Sequence, residues 1–386
     1  MKNIAADLEQ RRQASLYRQR HALQSPQGTH VIQEEKCYLS FCSNDYLGLA
    51  NDPRLVQALK EGGEKYGVGS GAAHLITGHS EAHHQLELAL AEHTGYERAL
   101  LFSTGYMANL GVISALLERN DIIFEDKLNH ASLIDGARLA QARLKRYLHN
   151  DVESLQRQLN NADSKGTMVA TDSVFSMDGD LAPLSALSQL CQQHHALLMV
   201  DDAHGLGVLG DKGQGCVTHC GLSPQDVPLY VGTLGKALGT FGAFVASSHD
   251  IIETLIQSAR TYIYTTALPP AIAHTTLTSL YIAQQETWRR EHLQHLIQTF
   301  RQQAQQLGFT LTDSSTPIQP IIIGDTAQTV ATSEALKAQS ILIPAIRPPT
   351  VAKGKARLRV SFSANHSEED LQRLLNALSN ALEQCS

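Results

Sequence analysis

The chain has 386 residues, of which 42% are hydrophobic and 18% are charged, so it can bury a large core and form two domains. Its formal net charge of −7 argues against a nucleic-acid partner, because such proteins usually carry a basic excess. No apolar run approaches the roughly 20 residues of a membrane span, and the polar start lacks a signal-peptide core. We therefore expect no membrane partner and a cytoplasmic location, where the six cysteines stay reduced.

The first part of the chain is predicted to form a separate amino-terminal segment over residues 1–42. Residues 4–24 are rich in Arg and Gln and predict a polar amphipathic helix, and residues 36–42 predict a short strand. A glycine-rich stretch follows over residues 67–78, and a strongly helical pattern then runs from Ser80 to His93.

The centre of the chain, residues 43–270, alternates apolar runs with helical patterns. This alternation predicts an α/β fold whose mainly parallel central sheet is covered on both faces. Ligands of such sheets bind at the carboxyl ends of the strands, so chemistry is expected just after each apolar run. The runs are Ala99–Phe102, Ile122–Phe124, Met168–Ala170, Ala196–Val200, Leu229–Val231 and Ala243–Ala246.

After Pro269 and Pro270 the pattern changes to that of a smaller α+β domain over residues 271–386. Residues 271–306 predict one long helix, and short strands are predicted at 318–323, 341–344 and 357–363. A last helix is predicted over residues 367–382, with Ser367 as its N-cap.

Lys236 stands out because its neighbours are small or apolar rather than those of a surface lysine. It follows the run Leu229–Val231, within Thr233-Leu-Gly-Lys-Ala-Leu-Gly239. A lysine in such surroundings can lose its proton and attack a carbonyl carbon as a nucleophile.

An acidic pair and a histidine follow another apolar run, in the order Asp201, Asp202, Ala203, His204 and Gly205. One interpretation is a helix cap at the end of a strand. The other is that Asp201 pairs with a cationic ring nitrogen, as the cofactor pyridoxal 5′-phosphate (PLP) requires. His204 could donate to a ring oxygen or orient Asp201.

Three further strand ends carry candidate residues. Gly105 and Tyr106 lie where a strand runs into a glycine turn and a helix, whose free N–H groups suit a phosphate. His130 could stack on a flat cofactor, although a lone histidine is more often structural. Ser176 can donate a hydrogen bond beside the turn at Asp178.

Two other site types are disfavoured. A dinucleotide site needs Gly-x-Gly-x-x-Gly on the first strand–helix turn, whereas Gly67-x-Gly-x-Gly71 follows a helix. No metal site is expected, because His79, His83 and His84 have no evident acidic third ligand, and Cys216 and Cys220 have no second Cys/His pair nearby.

Taken together, these segments resemble the α-oxoamine synthases, a family of PLP enzymes of fold type I. The most specific motifs are Phe175-Ser-Met-Asp-Gly-Asp180, Asp201-Asp-Ala-His-Gly205 and Thr233-Leu-Gly-Lys236. The resemblance runs from Ser43-Asn-Asp-Tyr-Leu-Gly-Leu49 to the strand at 357–359, which is nearly the whole chain. It implies an aminotransferase-like fold and departs from the family pattern at Asp172, where many members carry Glu.

The resemblance implies a role for each candidate residue. It gives catalytic roles to Lys236, which would hold PLP covalently, and to His130, which would stack on the ring. Asp201 would pair with the pyridine nitrogen. The other cofactor-binding positions are Gly105, Tyr106, Ser176, His204 and Thr233.

The resemblance also implies substrates and a partner. One branch of the family fits best, through His74-Leu-Ile-Thr-Gly-His79 and Ile346-Arg-Pro-Pro-Thr350. It condenses L-alanine with a pimeloyl thioester, carried by CoA or by a carrier protein, in biotin biosynthesis. The alternatives are branches that use glycine or serine. The family acts as homodimers. The implied substrate-binding residues are Arg18, Asn44, Arg347, Thr350 and Arg359, and either Arg347 or Arg359 would bind a carboxylate.

Overall fold

A computed structural model describes residues 3–13, 16–163 and 166–385. Within these ranges no helix is long and apolar enough to cross a lipid bilayer. The strands are β1 (His30–Gln33), β2 (Lys36–Ser40), β3 (Arg98–Phe102), β4 (Ile122–Asp126), β5 (Arg143–Tyr147), β6 (Thr167–Asp172), β7 (Leu197–Asp201), β8 (Leu229–Thr233), β9 (Ala243–Ser247), β10 (Ile318–Gly324), β11 (Ile341–Leu342), β12 (Ala345–Ile346) and β13 (Ala356–Ser361).

The helices are α1 (Ile4–Gln13), α2 (Pro53–Tyr66), α3 (Glu81–Thr94), α4 (Gly105–Leu116), α5 (Ala131–Ala140), α6 (Val152–Leu159), α7 (Leu184–Gln193), α8 (Cys216–His219), α9 (His249–Ser258), α10 (Arg260–Ile263), α11 (Pro270–Gln285), α12 (Thr287–Gln306), α13 (Thr326–Ala338) and α14 (Glu368–Cys385). A single π-helical turn, His74–Gly78, precedes α3.

The larger of two compact units holds residues 45–176 and 180–292 and is built on a seven-stranded sheet in the order β3-β9-β8-β7-β6-β4-β5. The strands from β8 to β5 pair in parallel, whereas β9 is antiparallel to both β8 and β3. The predicted mainly parallel sheet is therefore present. Its parallel strands all end at one edge, where ligands of such sheets bind.

The core of this unit lies where apolar strand residues meet α4, α5, α9 and α10. Val112 and Ile113 on α4 are fully buried, as are Ile123 and Met199 in the sheet. Fully burying one such side chain stabilises the fold by roughly 1.5–3 kcal/mol. This packing holds the start of α4, and the residues that precede it, in a fixed position at the end of β3.

The smaller unit holds residues 1–44, 177–179 and 293–386. It contains two three-stranded sheets, in the orders β1-β2-β11 and β10-β13-β12. The second sheet is antiparallel, and α13 packs against it. Ser367 caps α14 by accepting the N–H of Asp370 at 3.0 Å, as its sequence position predicts.

Several predicted elements differ in the structure. The predicted helix over residues 4–24 ends at Gln13, and residues 16–22 are not helical. Strand β5 was missed because it is a polar edge strand, with the sequence RLKRY and one buried residue. The helix predicted over residues 271–306 is broken at Glu286, whose carboxylate binds Arg54 at 2.6 Å and Arg289 at 2.7 Å.

The residue ranges of the two units also differ from the predicted domains, whose boundaries were at residues 42 and 270. The amino-terminal segment groups with the carboxyl-terminal residues, because β2 pairs with β11. Helix α11 groups with the larger unit, because it packs against α2 and α3.

The side chain of His149 bridges two aspartates near the end of β4, an arrangement called here the histidine clamp. His149 contacts Asp126 through Nδ1 at 3.0 Å and Asp180 through Nε2 at 2.8 Å, and its ring packs edge-on against Phe175. Burial by itself would lower the pKa of His149, but hydrogen bonds to the two carboxylates raise it to about 10. The clamp ties Phe175 and Asp180 to the end of β4.

The carboxyl group of Glu125, the neighbour of Asp126 on β4, is buried without hydrogen bonds to offset the loss of water. It is fully inaccessible, and neither carboxyl oxygen has a hydrogen-bond partner among the described residues. Burial raises the pKa of Glu125 to about 8, so the group is mostly protonated at neutral pH.

We expect His149→Gln to destabilise the chain by about 2 kcal/mol or more near pH 6.5, because buried Asp126 and partly exposed Asp180 lose their shared cationic partner. The raised pKa means that the stabilisation is complete below the unfolded value of about 6.5 and is lost as pH rises towards about 10. Urea unfolding at pH 6.5 and pH 9 should show the deficit shrinking at the higher pH. Exposed His219→Gln is the control, and a deficit that grows with pH would contradict the assignment.

For Glu125→Gln the expected pH dependence has the same direction, in a more acidic range. The raised carboxyl pKa lowers the stability of the natural chain as pH rises from about 4.5 to about 8. The variant carries no titrating group there, so its stability relative to the natural chain should increase between pH 5 and pH 8 by at least about 1 kcal/mol. Urea unfolding measures this change, with exposed Glu118→Gln as the control. A constant difference at both pH values would show that Glu125 is not buried uncharged.

Candidate active site

One cavity of about 180 Å³ opens at the carboxyl edge of the seven-stranded sheet. All eight residues predicted to bind or act with a cofactor line it, although they come from five separate segments of the chain. The lining residues are Gly105, Tyr106, His130, Ser132, Asp172, Val174, Ser176, Asp201, Ala203, His204, Thr233 and Lys236.

Strand ends bring these residues together. Asp172 ends β6, Asp201 ends β7 and Thr233 ends β8, and these three strands are neighbours in the sheet. Gly105 begins α4, and His130 is the N-cap of α5. The polar residues that follow the successive apolar runs in the sequence therefore surround one cavity in the fold.

The two adjacent aspartates have different tasks because successive side chains of a strand point to opposite faces. Asp201 lines the cavity. Asp202 is fully buried away from it and accepts hydrogen bonds from Ser173, from the Tyr230 hydroxyl at 2.9 Å and from the Cys216 N–H at 2.8 Å. Burial raises the pKa of Asp202 to about 7. Asp202 therefore holds the segment that follows β7 in place through hydrogen bonds, and Asp201 faces the active-site cavity.

Two glycines make room for the Asp202 carboxyl group. A Cβ atom added at Gly205 would lie 2.1 Å from Oδ1 of Asp202, and one at Gly215 would lie 2.0 Å from Oδ2. Gly215 also has a φ of +106°, which side chains rarely adopt. Any larger residue at either position would displace the carboxyl group.

Asn109 holds Asp201 in place. Its Nδ2 donates to Oδ2 of Asp201 at 2.6 Å and to Oγ of Ser132 at 2.8 Å. The N–H of Ala203 donates to the other oxygen of Asp201 at 3.0 Å. Asn109 is 1% exposed, so its amide cannot exchange these partners for bulk water. Both oxygens of Asp201 are thus oriented by hydrogen-bond donors.

Lys236 is half-buried and points to His204 rather than to bulk solvent. Its Nζ lies 2.8 Å from Nε2 of His204, whose Nδ1 lies 2.7 Å from the hydroxyl of buried Tyr46. An ammonium has no acceptor, so Nε2 must then accept and Nδ1–H donates to Tyr46. With a neutral amine the reverse arrangement is also satisfied. The three groups can therefore accommodate both charge states of Lys236.

Asp172 lies beside Asp201 in the parallel register and supports His130. Its Oδ2 accepts the N–H of His130 at 3.0 Å, and the His130 ring is held by the Ser132 hydroxyl at 2.7 Å. Burial and the charge of Asp201 raise the pKa of Asp172 well above its ordinary value. Oδ1 of Asp172 is buried and has no partner among the described residues, so one polar atom of the cavity wall is left unmatched.

The start of α4 forms another wall of the cavity. Thr104 caps the helix by accepting the N–H of Met107 at 3.2 Å, and a Cβ atom added at Gly105 would meet no atom within 4 Å. The ring of Tyr106 stands edge-on to that of His130 at 6.2 Å, and its hydroxyl donates to Asp135. Free N–H groups at the helix start and open space at Gly105 fit an anionic group.

The five predicted substrate-binding residues belong to the smaller unit. Arg18 donates to the Thr350 hydroxyl at 3.4 Å, and Arg347 donates to the carbonyl oxygen of Tyr17 at 3.2 Å. Arg359 is 5% exposed and donates to Asn44 at 3.2 Å and to Ser361 at 2.8 Å. The structure thus places the five residues in two small clusters.

Sequence reasoning missed Asn109, Tyr46 and Ser132 as members of the site. Each lies in a segment that was noted for a neighbouring residue. A polar residue on the buried face of α4 was the available signal for Asn109, because an amide in a core needs partners.

Comparison with known proteins places the chain in a family. Residues 36–378 match the family described as aminotransferase class I and II. An 8-amino-7-oxononanoate synthase from Pseudomonas putida (strain GB-1) is 58% identical over 382 residues, which covers 99% of this chain and 98% of that protein.

Solved structures give the same result. A variant serine palmitoyltransferase from S. paucimobilis with bound PLP–myriocin aldimine superposes with a TM-score of 0.94 and 30% identity, covering 100% of this chain and 98% of that one. An 8-amino-7-oxononanoate synthase from Francisella tularensis has a TM-score of 0.79 and 34% identity, covering 90% and 98%. The predicted aminotransferase-like α/β fold is confirmed, and the chain belongs to the aminotransferase class I and II family and, within it, to the α-oxoamine synthases.

Proposed function

We propose that this chain is a PLP-dependent acyltransferase of biotin biosynthesis. It condenses L-alanine with a pimeloyl thioester and releases 8-amino-7-oxononanoate, CO₂ and a free thiol. The observation that carries the proposal is the meeting of Lys236, His204 and Asp201 at one cavity. The substrates follow from the name of the relatives that are 58% identical over nearly the whole chain.

The residues around the cavity fit PLP. Asp201 would hold the proton of the pyridine nitrogen, and its two oxygens are already oriented by Asn109 and the Ala203 N–H. The start of α4 at Gly105 would take the phosphate. When bound, PLP supplies an aldehyde that links amines covalently and a cationic ring that withdraws electrons from the amino-acid α carbon.

The remaining cofactor-binding residues would fix the position of the ring. His130 would pack on one face of it, held by the Ser132 hydroxyl and, through its backbone, by Asp172. Ser176, Thr233 and Tyr106 would bound its edges, since they line the same cavity.

Lys236 has two successive tasks in this reaction. It would hold the cofactor covalently while no substrate is bound. As a neutral amine, its Nζ would accept the proton from the α carbon of L-alanine. The 2.8 Å contact between Nζ and His204, whose other ring nitrogen is held by Tyr46 at 2.7 Å, would keep Nζ oriented in both charge states as the lysine gains and later returns that proton.

Arg18, Asn44, Arg347, Thr350 and Arg359 are proposed to bind L-alanine and the acyl thioester, with Arg347 or Arg359 on a carboxylate. Arg359 is the better-ordered candidate, because Asn44 and Ser361 already hold its guanidinium. The active form is proposed to be a homodimer of the 42.1 kDa chain, which light scattering of the holoenzyme tests.

Lys236→Ala is expected to abolish turnover, because the chain loses both the covalent attachment and the base. Borohydride reduction of the holoenzyme should bleach its yellow colour and label a single lysine peptide that contains residue 236. The exposed Lys212→Ala variant should keep both colour and activity. Full activity in Lys236→Ala would exclude the proposed site.

The substrate proposal is tested by measuring the release of free thiol from different pairs of amino acid and acyl thioester. L-alanine with pimeloyl-CoA or pimeloyl carrier protein should react faster than glycine with acetyl-CoA or serine with palmitoyl-CoA. Faster reaction with either of the last two pairs would keep the cofactor chemistry and replace the proposed substrates.

Asn109→Ala is expected to act through Asp201 and to lower kcat by roughly tenfold or more, because a buried charge-assisted hydrogen bond of 2.6 Å is lost. The KM for L-alanine should change much less. The absorbance of bound PLP as a function of pH should shift, since Asp201 would no longer be held, whereas exposed Asn161→Ala should leave it unchanged. An unchanged absorbance profile with lower kcat would mean that Asn109 has only a structural role.

A further inference from the structure

Three side chains with metal-ligand atoms lie together in the larger unit, away from the active-site cavity. They are His79, His84 and Glu87, called here the His79 cluster. One ligand atom from each lies within 4.8 Å of the others, and Nε2 of His79 is 3.9 Å from Oε2 of Glu87. The sequence offered histidines in this segment without an evident acidic ligand. Glu87 supplies it, one helical turn beyond His84 on α3.

The neighbouring His83 does not belong to the cluster, because both of its ring nitrogens are engaged. Its Nδ1 accepts the N–H of Ser80 at 3.0 Å, so the proton sits on Nε2, which donates to the carbonyl oxygen of Leu268 at 2.5 Å. His83 therefore caps α3 and leaves the other two histidines with Glu87.

Hydrogen bonds behind the cluster orient two of its members. Nδ1 of His79 is 3.1 Å from Nδ1 of His74, a buried ring stacked on Tyr262. If Nδ1–H of His79 donates, its Nε2 lone pair faces Glu87. Oε1 of Glu87 accepts the N–H of Leu101 at 2.9 Å, which leaves Oε2 towards His79. Supporting bonds of this kind are typical of protein metal sites.

We propose that His79, His84 and Glu87 bind one divalent transition-metal ion of the Zn²⁺ class, with water completing the coordination. Two imidazoles and one carboxylate are a known zinc ligand set. Ligands at zinc distances lie roughly 3.3 Å apart in a tetrahedral site. The exposed side chain of His84 can move to close the remaining gap. The bound ion joins the turn before α3 to the helix itself and, through Glu87, to β3.

The test is calorimetric titration of ZnCl₂ into the holoenzyme at pH 7.5. We expect one ion per chain at the His79 cluster. His84→Gln, at an exposed position, should weaken this site by at least about tenfold. His195→Gln, equally exposed but distant in sequence, should leave it unchanged.

His84→Gln distinguishes zinc bound at the His79 cluster from zinc bound elsewhere on the chain. Ions held by the six cysteines or by PLP would remain in His84→Gln. Identical isotherms for the natural chain and His84→Gln would overturn the proposal, as would the absence of any binding. A loss of the site in His195→Gln would do the same.

Discussion

The placement of a buried carboxylate, Asp201, and a half-buried amine, Lys236, at one cavity is the constraint on which the active site depends. Asp201 needs a low-dielectric position to act strongly on a bound cation, and such a position is costly for a bare charge. Asn109 and the Ala203 N–H offset that cost, since both carboxylate oxygens receive donors. The side chains that hold Asp201 are thus as much a part of the site as the residues that touch the cavity.

The sheet explains how this arrangement is reached. Neighbouring parallel strands place Asp172 and Asp201 side by side, and two carboxylates so close cannot both ionise easily. Asp172 is the one whose pKa is raised well above its ordinary value, and its backbone contact with His130 does not require a charge on both oxygens. Asp172 is therefore the acid of the pair that is suited to remain neutral. Lys236, on the loop after β8, completes the polar edge of the cavity.

Other ionisable groups in the larger unit show the same dependence of protonation state on burial and on nearby partners, with different outcomes. His149 gains two carboxylate partners and is held as a cation, whereas Glu125 gains none and is held as an acid. Glu87 lies between these cases, with one oxygen satisfied and one directed at a histidine. The partners available to each group decide whether burial produces a clamp, an uncharged acid or a ligand for an ion.

Local sequence was enough to identify Lys236, His130 and Ser176, because small neighbours, glycine turns and strand ends are visible over a few residues. The main strands were visible for the same reason, whereas the polar edge strand β5 was not, since its side chains bury little and show no alternation. The helix broken at Glu286 also escaped prediction. Its ion pair with Arg54 joins residues 232 positions apart.

The sequence by itself determined which residue types stand at each strand end, and so the kind of chemistry that the chain can support. Only the tertiary structure decided which of the two adjacent aspartates faces the cavity, because the pleat sends them to opposite sides and the sheet sets which side is which. It also decided the partners of Asp201 and His204. Asn109 and Tyr46 reach them from 92 and 158 positions away, and a pattern of neighbours cannot encode such distances.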